Sequence, residues 1–329
     1  MEEVRQMDEF SFIKAIQPDY YKQSSLIKGI GDDAAVIRHG INDIVTAVDT
    51  FVDGVHFSRK TMDPIHIGYR VLAANVSDLA AMGAKPAFYL VAIVIPAAWS
   101  DSELLDIIKG MKQLAEPFKV DLIGGDTVQG DQLMISITVI GYVSKEKARY
   151  RHTSVPGDVV FVTGTLGDSQ AGLHILTHPS RYKQEEYFIR RHRMPTPRIE
   201  FVQELQDLKR LTLNDISDGI ANEATEIADA SDVSIHLFDE HIPTVPSFQQ
   251  FPKTLQHQWK YFGGEDFELI GTVAESEWET VMKAAKQTDT PIKKVGYVTL
   301  KSKTNQSPVM LHKERKEIPL EKKGYIHLK

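Results

Sequence analysis

Cysteine is absent from the 329 residues. That excludes disulfides, thiolate zinc sites, iron–sulfur clusters and cysteine nucleophiles. An excess of basic charge is also missing: 38 Lys and Arg stand against 45 Asp and Glu, a net charge of -7. This argues against a general nucleic-acid or membrane-surface binder. Anionic ligands must then be held locally, by backbone amides, a few Arg residues or metal ions. There is no long hydrophobic run. The longest, Ala87 to Ile95, stops at Pro96, far short of the ~20 residues that span a bilayer. The opening residues are polar and acidic, unlike a secretory signal. The expectation is a cytoplasmic, soluble protein. No G-x-x-x-x-G-K-[ST] loop, protein-kinase signature set, G-x-S-x-G elbow or H-E-x-x-H helix occurs. The twelve histidines show no metal-ligand spacing.

What is present is organised around Asp63 to Pro86. Asp63 suits an N-cap and Pro64 the first helical position. Gly83 suits the left-handed residue after the helix, and Pro86 forbids an immediate restart. Projected at about 100° per residue, His66, Arg70 and Ser77 share a polar stripe. Asp78 falls elsewhere, between Ile67 and Val71, near Asn75 and Gly68. A carboxylate on an apolar helix face needs a partner or a metal. Either a boundary aspartate bonded to a loop or a metal ligand satisfies that requirement.

Other acids stand at glycine-bearing turns or strand ends. Gly31-Asp-Asp-Ala34 precedes the β-type run Ala35-Val-Ile37, so it is not a dinucleotide fingerprint, which opens a helix. A cation turn or a solvated turn fits it. The strand Ile44 to Val48 ends at Asp49, with His56 seven residues on. Val120 to Ile123 runs into Gly124-Gly-Asp-Thr127. Asp32, Asp33, Asp49, Asp78 and Asp126 are thus candidates to converge at one end of a sheet and bind several Mg²⁺ ions with phosphates.

A composition shift at Ser144 to Arg149 marks a domain boundary. The strand Val159 to Val162 then enters Gly164-Thr-Leu-Gly-Asp-Ser-Gln-Ala-Gly172, where helix amides can face an anion. Arg190 to Arg198 reads as a proline-punctuated link with five basic residues, either phosphate-facing or solvated. Asp215 and Asp218 bracket a strand-to-helix turn. The acids of the helix from Ile220 to Ala230 read as a solvated face. Gly263-Gly-Glu-Asp-Phe-Glu-Leu-Ile270 leads into a strand.

Seven segments, in order, resemble thiamine-monophosphate kinases: Gly31 to Ala35, Asp49 to Phe57, Asn75 to Ala84, Leu122 to Thr127, Gly164 to Gly172, Ile216 to Gly219 and Gly263 to Leu269. That family shares a superfamily with aminoimidazole ribonucleotide synthetase and selenophosphate synthetase. The resemblance implies a PurM-like fold of two domains. Residues 1–147 would be an α/β dimerisation and Mg/ATP-binding domain, its sheet pairing across a homodimer into a barrel-like interface. Residues 148–329 would be an α+β domain covering nucleotide and substrate. It implies ATP-dependent phosphorylation of thiamine monophosphate to thiamine diphosphate, with ATP as co-substrate and several Mg²⁺ ions. Asp33, Asp49, Asp78, Asp126, Asp215 and Asp218 match its metal positions. Gly125, Asp126, Arg151 and Ser217 match ATP contacts, and His56 and Glu265 match thiamine monophosphate contacts.

The sequence departs from the family at Ala47 and Val48, where hydroxyl residues are common, at Ile108 and Lys322, where aromatics occur, and in its Tyr325-Ile-His-Leu tail. Two alternatives stay open: another ATP-using enzyme of the superfamily, or a non-catalytic Mg-nucleotide-binding homologue. Because the acceptor phosphate is already anionic, the chemistry needs charge neutralisation and positioning more than a strong base.

Overall fold

The computed structural model of the chain describes residues 15–16, 18, 20–28, 36–37, 40–302 and 307–323. The described residues divide into two compact units. The first runs up to Leu79 and resumes over Ala84–Ala148; the second comprises Ala80–Gly83 and Arg149 onward.

In the first unit, β1 (Leu26–Lys28) and β2 (Val36–Ile37) form a small antiparallel pair. The main sheet comprises β3 (Asp43–Val52), β4 (Lys85–Ile95), β5 (Asp121–Gln129) and β6 (Met134–Val143), in the order β3-β6-β4-β5. Only the β4–β5 pair is parallel. Burial alternates along β6, with Ile135, Ile137 and Val139 in the core, as expected for a sheet covered on one face. Helices α1 (Pro64–Ala81) and α2 (Asp101–Phe118) supply much of the remaining core.

Both helices end as their sequences direct. Gly83 is left-handed at φ 76°. Its N–H donates to Ala80 O at 3.0 Å and that of Ala84 to Leu79 O at 2.9 Å, the two bonds of a Schellman motif. Ser100 caps α2 through a reciprocal box with Glu103. The backbones of α1 and α2 approach very closely. A Cβ on Gly68 would lie 1.7 Å from Ile107 O, and one on Gly110 would lie 1.9 Å from Ile65 O. The expected polar stripe of α1 does not face solvent: Arg70 and Ser77 are buried, because α1 is packed nearly all round.

In the second unit, seven strands form one sheet in the order β13-β12-β9-β11-β7-β10-β8. They are β7 (Asp158–Thr163), β8 (Thr212–Asp215), β9 (Val233–Phe238), β10 (Leu269–Ala274), β11 (Ile292–Leu300), β12 (Val309–Lys313) and β13 (Lys316–Pro319). Its helices are α3 (Asp168–Thr177), α4 (Glu185–Arg193), α5 (Ile199–Gln203), α6 (Ile220–Ser231), α7 (Lys253–Phe262) and α8 (Trp278–Gln287). Ile220, Ala224, Ile227 and Ala228 of α6 pack with Ile235, Leu237, Val309 and Leu311 of the sheet. The basic stretch Arg190 to Arg198 is no solvated link. Its first part completes α4, and His192 is buried. No described helix is long and apolar enough to cross a membrane.

The α1–α2 contact yields a test. Gly110→Ala places a methyl group against backbone that cannot yield without moving the helices apart, so it lowers unfolding free energy by about 1–3 kcal/mol or more. Gly40→Ala, with nothing within 4 Å of the new methyl, leaves it within about 0.5 kcal/mol. Urea unfolding of the two variants distinguishes these outcomes; equal midpoints would refute the close contact.

Candidate active site

In the first unit, Asp49, His56 and Asn75 are drawn to one place. Asp49 lies within β3, not at its end as the sequence suggested, because the strand continues through Val52. Its N–H donates to Asn75 Oδ1 at 3.1 Å, while Asn75 Nδ2 donates to Val71 O at 2.8 Å. Asn75 therefore ties α1 to β3. Asp78, one turn further along α1, is half-buried. Burial raises the Asp49 carboxyl above its ordinary value, and nearby His56 partly opposes the rise. His56 closes a short loop after β3. Val52 N–H donates to its Nδ1 at 3.0 Å, which leaves the ring proton of the neutral imidazole on Nε2.

Gly125 and Asp126 lie inside β5, not in a turn after it. Their exposure explains the misreading: β5 is an edge strand whose second half is largely open. Thr127 N–H donates to Asp126 Oδ1 at 2.9 Å. The registers align Asp49 with Ile137, Val91 and Gly125 across four strands. Asp49 is thus about 14 Å or more across the sheet from Asp126, which follows Gly125 and points to the opposite face. Asp32 and Asp33 lie outside the described residues.

In the second unit, Asp215 ends β8 and Asp218 precedes α6. Between them Ile216 and Ser217 are stitched to the Gly263–Glu268 segment. Ile216 N–H donates to Glu268 O (2.6 Å), Phe267 N–H to Ile216 O (3.0 Å) and Glu265 N–H to Ser217 O (2.7 Å). Glu265 and Phe267 hold left-handed backbones at φ 69° and 50°, an unfavourable state that these bonds offset. Gly264 is required here, since its Cβ would lie 2.4 Å from Ser217 O.

Glu223 was not among the expected site residues. The sequence places it on a solvated helix face, yet it is buried. One oxygen accepts from Asp218 N–H at 3.2 Å and the other from Asn214 Nδ2. Asn214 Oδ1 in turn accepts from Arg151 Nε at 3.1 Å, placing Arg151 beside this acidic turn. Burial, and then the charges of Asp215 and Asp218, push the Glu223 carboxyl up to about 8. Its position five residues after Asp218, in the first turn of α6, was the available signal.

A second set of charges supports the turn from behind. Asp266 accepts from Gly167 N–H (2.6 Å) and Ser169 N–H (3.0 Å) at the start of α3. The amides of the Gly164 to Gly172 segment are thus partly used by a carboxylate of the chain itself. Glu268 is fully buried and accepts from Arg198 Nε (2.7 Å) and Nη2 (2.6 Å), Arg191 Nη2 (2.7 Å) and Thr163 Oγ1 (2.7 Å). Burial would raise Glu268, but the Arg198 and Arg191 guanidiniums outweigh it and hold the carboxyl below its ordinary value. Arg191 and Arg198 are therefore positioning residues. Ile108, at a position where the family often has an aromatic, is buried in α2. Lys322 pairs with Glu226.

The two units are those of the AIR synthase related proteins. The N-terminal domain model of that family matches residues 31–143 and its C-terminal domain model residues 155–305. The thiamine-monophosphate kinase of Bacillus subtilis (strain 168) is 44% identical over 330 residues, covering 98% of this chain and 100% of that protein. The structure of thiamine-monophosphate kinase from Stenotrophomonas maltophilia K279a superposes with a TM-score of 0.81 at 29% identity, covering 92% of this chain and 95% of that one. AaThiL complexed with AMPPCP and TMP gives 0.76 at 27% identity, covering 98% and 99%. The chain belongs to the thiamine-monophosphate kinase family.

Two tests follow from the second-unit charges. Glu223 has an ordinary value of 4.5 and a folded value of about 8. Between these, the folded chain holds a proton that the unfolded chain has released. The stability contribution is greatest below pH 4.5, falls as pH rises to 8 and then levels off. Without divalent cations, Glu223→Gln removes this fall, worth at most ~1.4 kcal/mol per pH unit. Urea midpoints measured from pH 5 to pH 8 read it directly, and identical slopes in parent and variant would refute it. Glu268→Gln strands two guanidiniums against a neutral partner and costs about 3–5 kcal/mol; an unchanged melting temperature would show that the cluster is not a support.

Proposed function

We propose that the chain transfers the γ-phosphoryl group of ATP to the phosphate of thiamine monophosphate, giving ADP and thiamine diphosphate. The observation that carries this reading is the end-to-end similarity to a thiamine-monophosphate kinase at 44% identity. The neighbour complexed with AMPPCP and TMP supports it.

Carboxylate oxygens suit a hard cation, and the upward pressure on Asp49 and Glu223 is relieved when positive charge arrives. Asp33, Asp49, Asp78, Asp126, Asp215 and Asp218 are the proposed Mg²⁺ ligands, and the bound ions neutralise charge between two polyanions. Two aspartates sharing one ion span at most about 11–12 Å between Cα atoms with ~2.1 Å metal–oxygen bonds. The ~14 Å or more between Asp49 and Asp126 therefore favours more than one ion.

Gly125, Asp126, Arg151 and Ser217 are assigned to ATP. Glycine is needed at 125 for β5 to lie against β4, because Val91 O is 1.9 Å from where its Cβ would be. His56 and Glu265 are assigned to thiamine monophosphate. His56 Nε2–H can donate to the acceptor phosphate, and the Glu265 carboxylate can accept from the aminopyrimidine amine. The acceptor oxygen is anionic at neutral pH, so direct in-line transfer needs no strong base.

Residues 1–147 are assigned dimerisation and Mg/ATP binding, and residues 148–329 further nucleotide and substrate binding. The proposed homodimer pairs the four-stranded sheets into a barrel-like interface. Ile44, Val48, Val128 and Met134 are exposed on that sheet, which suits an apolar partner face. The proposed location is the cytoplasm.

Phosphorus NMR with ATP, thiamine monophosphate and Mg²⁺ tests the reaction. Stoichiometric ADP and thiamine diphosphate are expected, and unchanged ATP would overturn the reading. Asp78→Asn is expected to fold as the parent does and to lower turnover by about 10³-fold. Parental turnover in that variant would remove Asp78 from the metal set.

A further inference from the structure

At the β13 edge of the second unit's sheet, three strands bring His236 together with two residues of a hairpin more than 70 positions further on. His236 of β9, His312 of β12 and Glu317 of β13 offer ligand atoms to one point. The register explains the meeting. β9 pairs with β12 so that His236 faces Met310, two residues from His312, and β12 pairs with β13 so that His312 faces Glu317. Residues two apart on a strand share a face. The alternate residues Ile235, Leu237, Val309 and Leu311 fill the core on the opposite side. Histidine spacing along the chain does not reveal the site, because it is made by cross-strand pairing.

Three atoms form a small triangle. His236 Nδ1 lies 3.0 Å from His312 Nε2 and 3.1 Å from Glu317 Oε1, and His312 Nε2 lies 3.9 Å from Glu317 Oε1. The point equidistant from these atoms is about 2.0 Å from each, which is the length of zinc–imidazole and zinc–carboxylate bonds. One proton can bridge a single edge of the triangle, whereas one cation near its centre serves all three.

The surroundings orient the first ligand. Thr299 Oγ1 donates to Leu300 O at 3.2 Å, which leaves it to accept from His236 Nε2, 3.1 Å away. Nε2 then carries the ring proton and Nδ1 presents its lone pair to the triangle. A hydrogen bond from the distal ring nitrogen commonly fixes a histidine ligand in this way. The ring also stacks on Tyr297, with centroids 4.8 Å apart and planes within 2°. Glu317 is 43% exposed, leaving the solvent side open for water as a fourth ligand.

We infer that His236, His312 and Glu317 form a site for a Zn²⁺-class transition-metal ion that ties the β13 edge to β9. Two imidazoles and one carboxylate suit zinc rather than Mg²⁺, which takes oxygen ligands. The site is separate from the carboxylate set proposed for phosphoryl transfer.

The test uses the full chain stripped with EDTA and titrated calorimetrically with Zn²⁺ in excess Mg²⁺, so that oxygen-ligand sites are filled. The parent should bind one equivalent, and Zn²⁺ should raise its melting temperature. Co²⁺ should give the visible absorption of tetrahedral coordination. His312→Ala and the more exposed Glu317→Gln should weaken Zn²⁺ binding at least about tenfold and abolish the thermal shift. Both should retain the parental kinase rate measured in Mg²⁺. Glu317→Gln alone decides the matter if His312→Ala misfolds. No Zn²⁺ uptake by the parent, or equal uptake by parent and Glu317→Gln, would overturn the assignment.

Discussion

The buried ion cluster of Glu268 with Arg191 and Arg198 is the contact on which the second unit's acidic turn depends. A carboxylate taken out of water costs several kcal/mol unless its oxygens are satisfied. Here two guanidiniums and a threonine hydroxyl satisfy them. Once Glu268 is anchored, its carbonyl holds Ile216 and the preceding residues form the strained passage through Phe267 and Glu265. A Cβ on Gly164 would lie 2.0 Å from Glu268 Oε1, so even the glycine that follows β7 is shaped by this carboxylate. The strain is local, and the charges that counter it come from α4 and the segment before α5.

Charge placement follows one logic in both units. The chain is acidic overall, yet its proposed ligands are polyanions. Each unit holds a carboxylate where burial makes its ionisation unfavourable, as the upward shifts of Asp49 and Glu223 record. A site of that kind is held at some expense to stability, and a cation reverses the penalty. Arg151, beside the second unit's acidic turn, is only partly committed, through Asn214 and a 3.7 Å pairing with Glu226.

Much of this was legible in the sequence. Helix α1 declared both ends through Asp63, Pro64 and Gly83, since capping is a local property carried by a few side chains. The acidic turn around Asp215 and Asp218 was legible because apolar residues lead into it and Gly219 follows. Strand ends were less legible. β3 and β5 run on through Asp49 and Asp126, because pairing with β6 and β4 overrides the local reluctance of Asp and Gly to extend. Asp49 in particular gains a bond from outside the sheet, through Asn75.

The larger misreadings share one physical cause. From the sequence, Arg191 and Arg198 read as either phosphate-facing or solvated and Glu223 as solvated, because charged residues on short helices and links usually are. Whether a charge is buried depends on whether a partner stands opposite, and that partner lies 70 or more residues away for Arg198 and Arg191. Glu223 shows the same effect at short range. Its partners Asn214 and Asp218 are close in sequence, but only the turn between β8 and α6 folds them back onto it. The His236–His312–Glu317 triangle extends the rule to metal ligands: spacing in the chain identifies a site built on one helix or one turn, whereas a site built across strands is specified by register. Register follows from which residues must face the core, and here Ile235, Leu237, Val309 and Leu311 make that choice for the residues between and beside them.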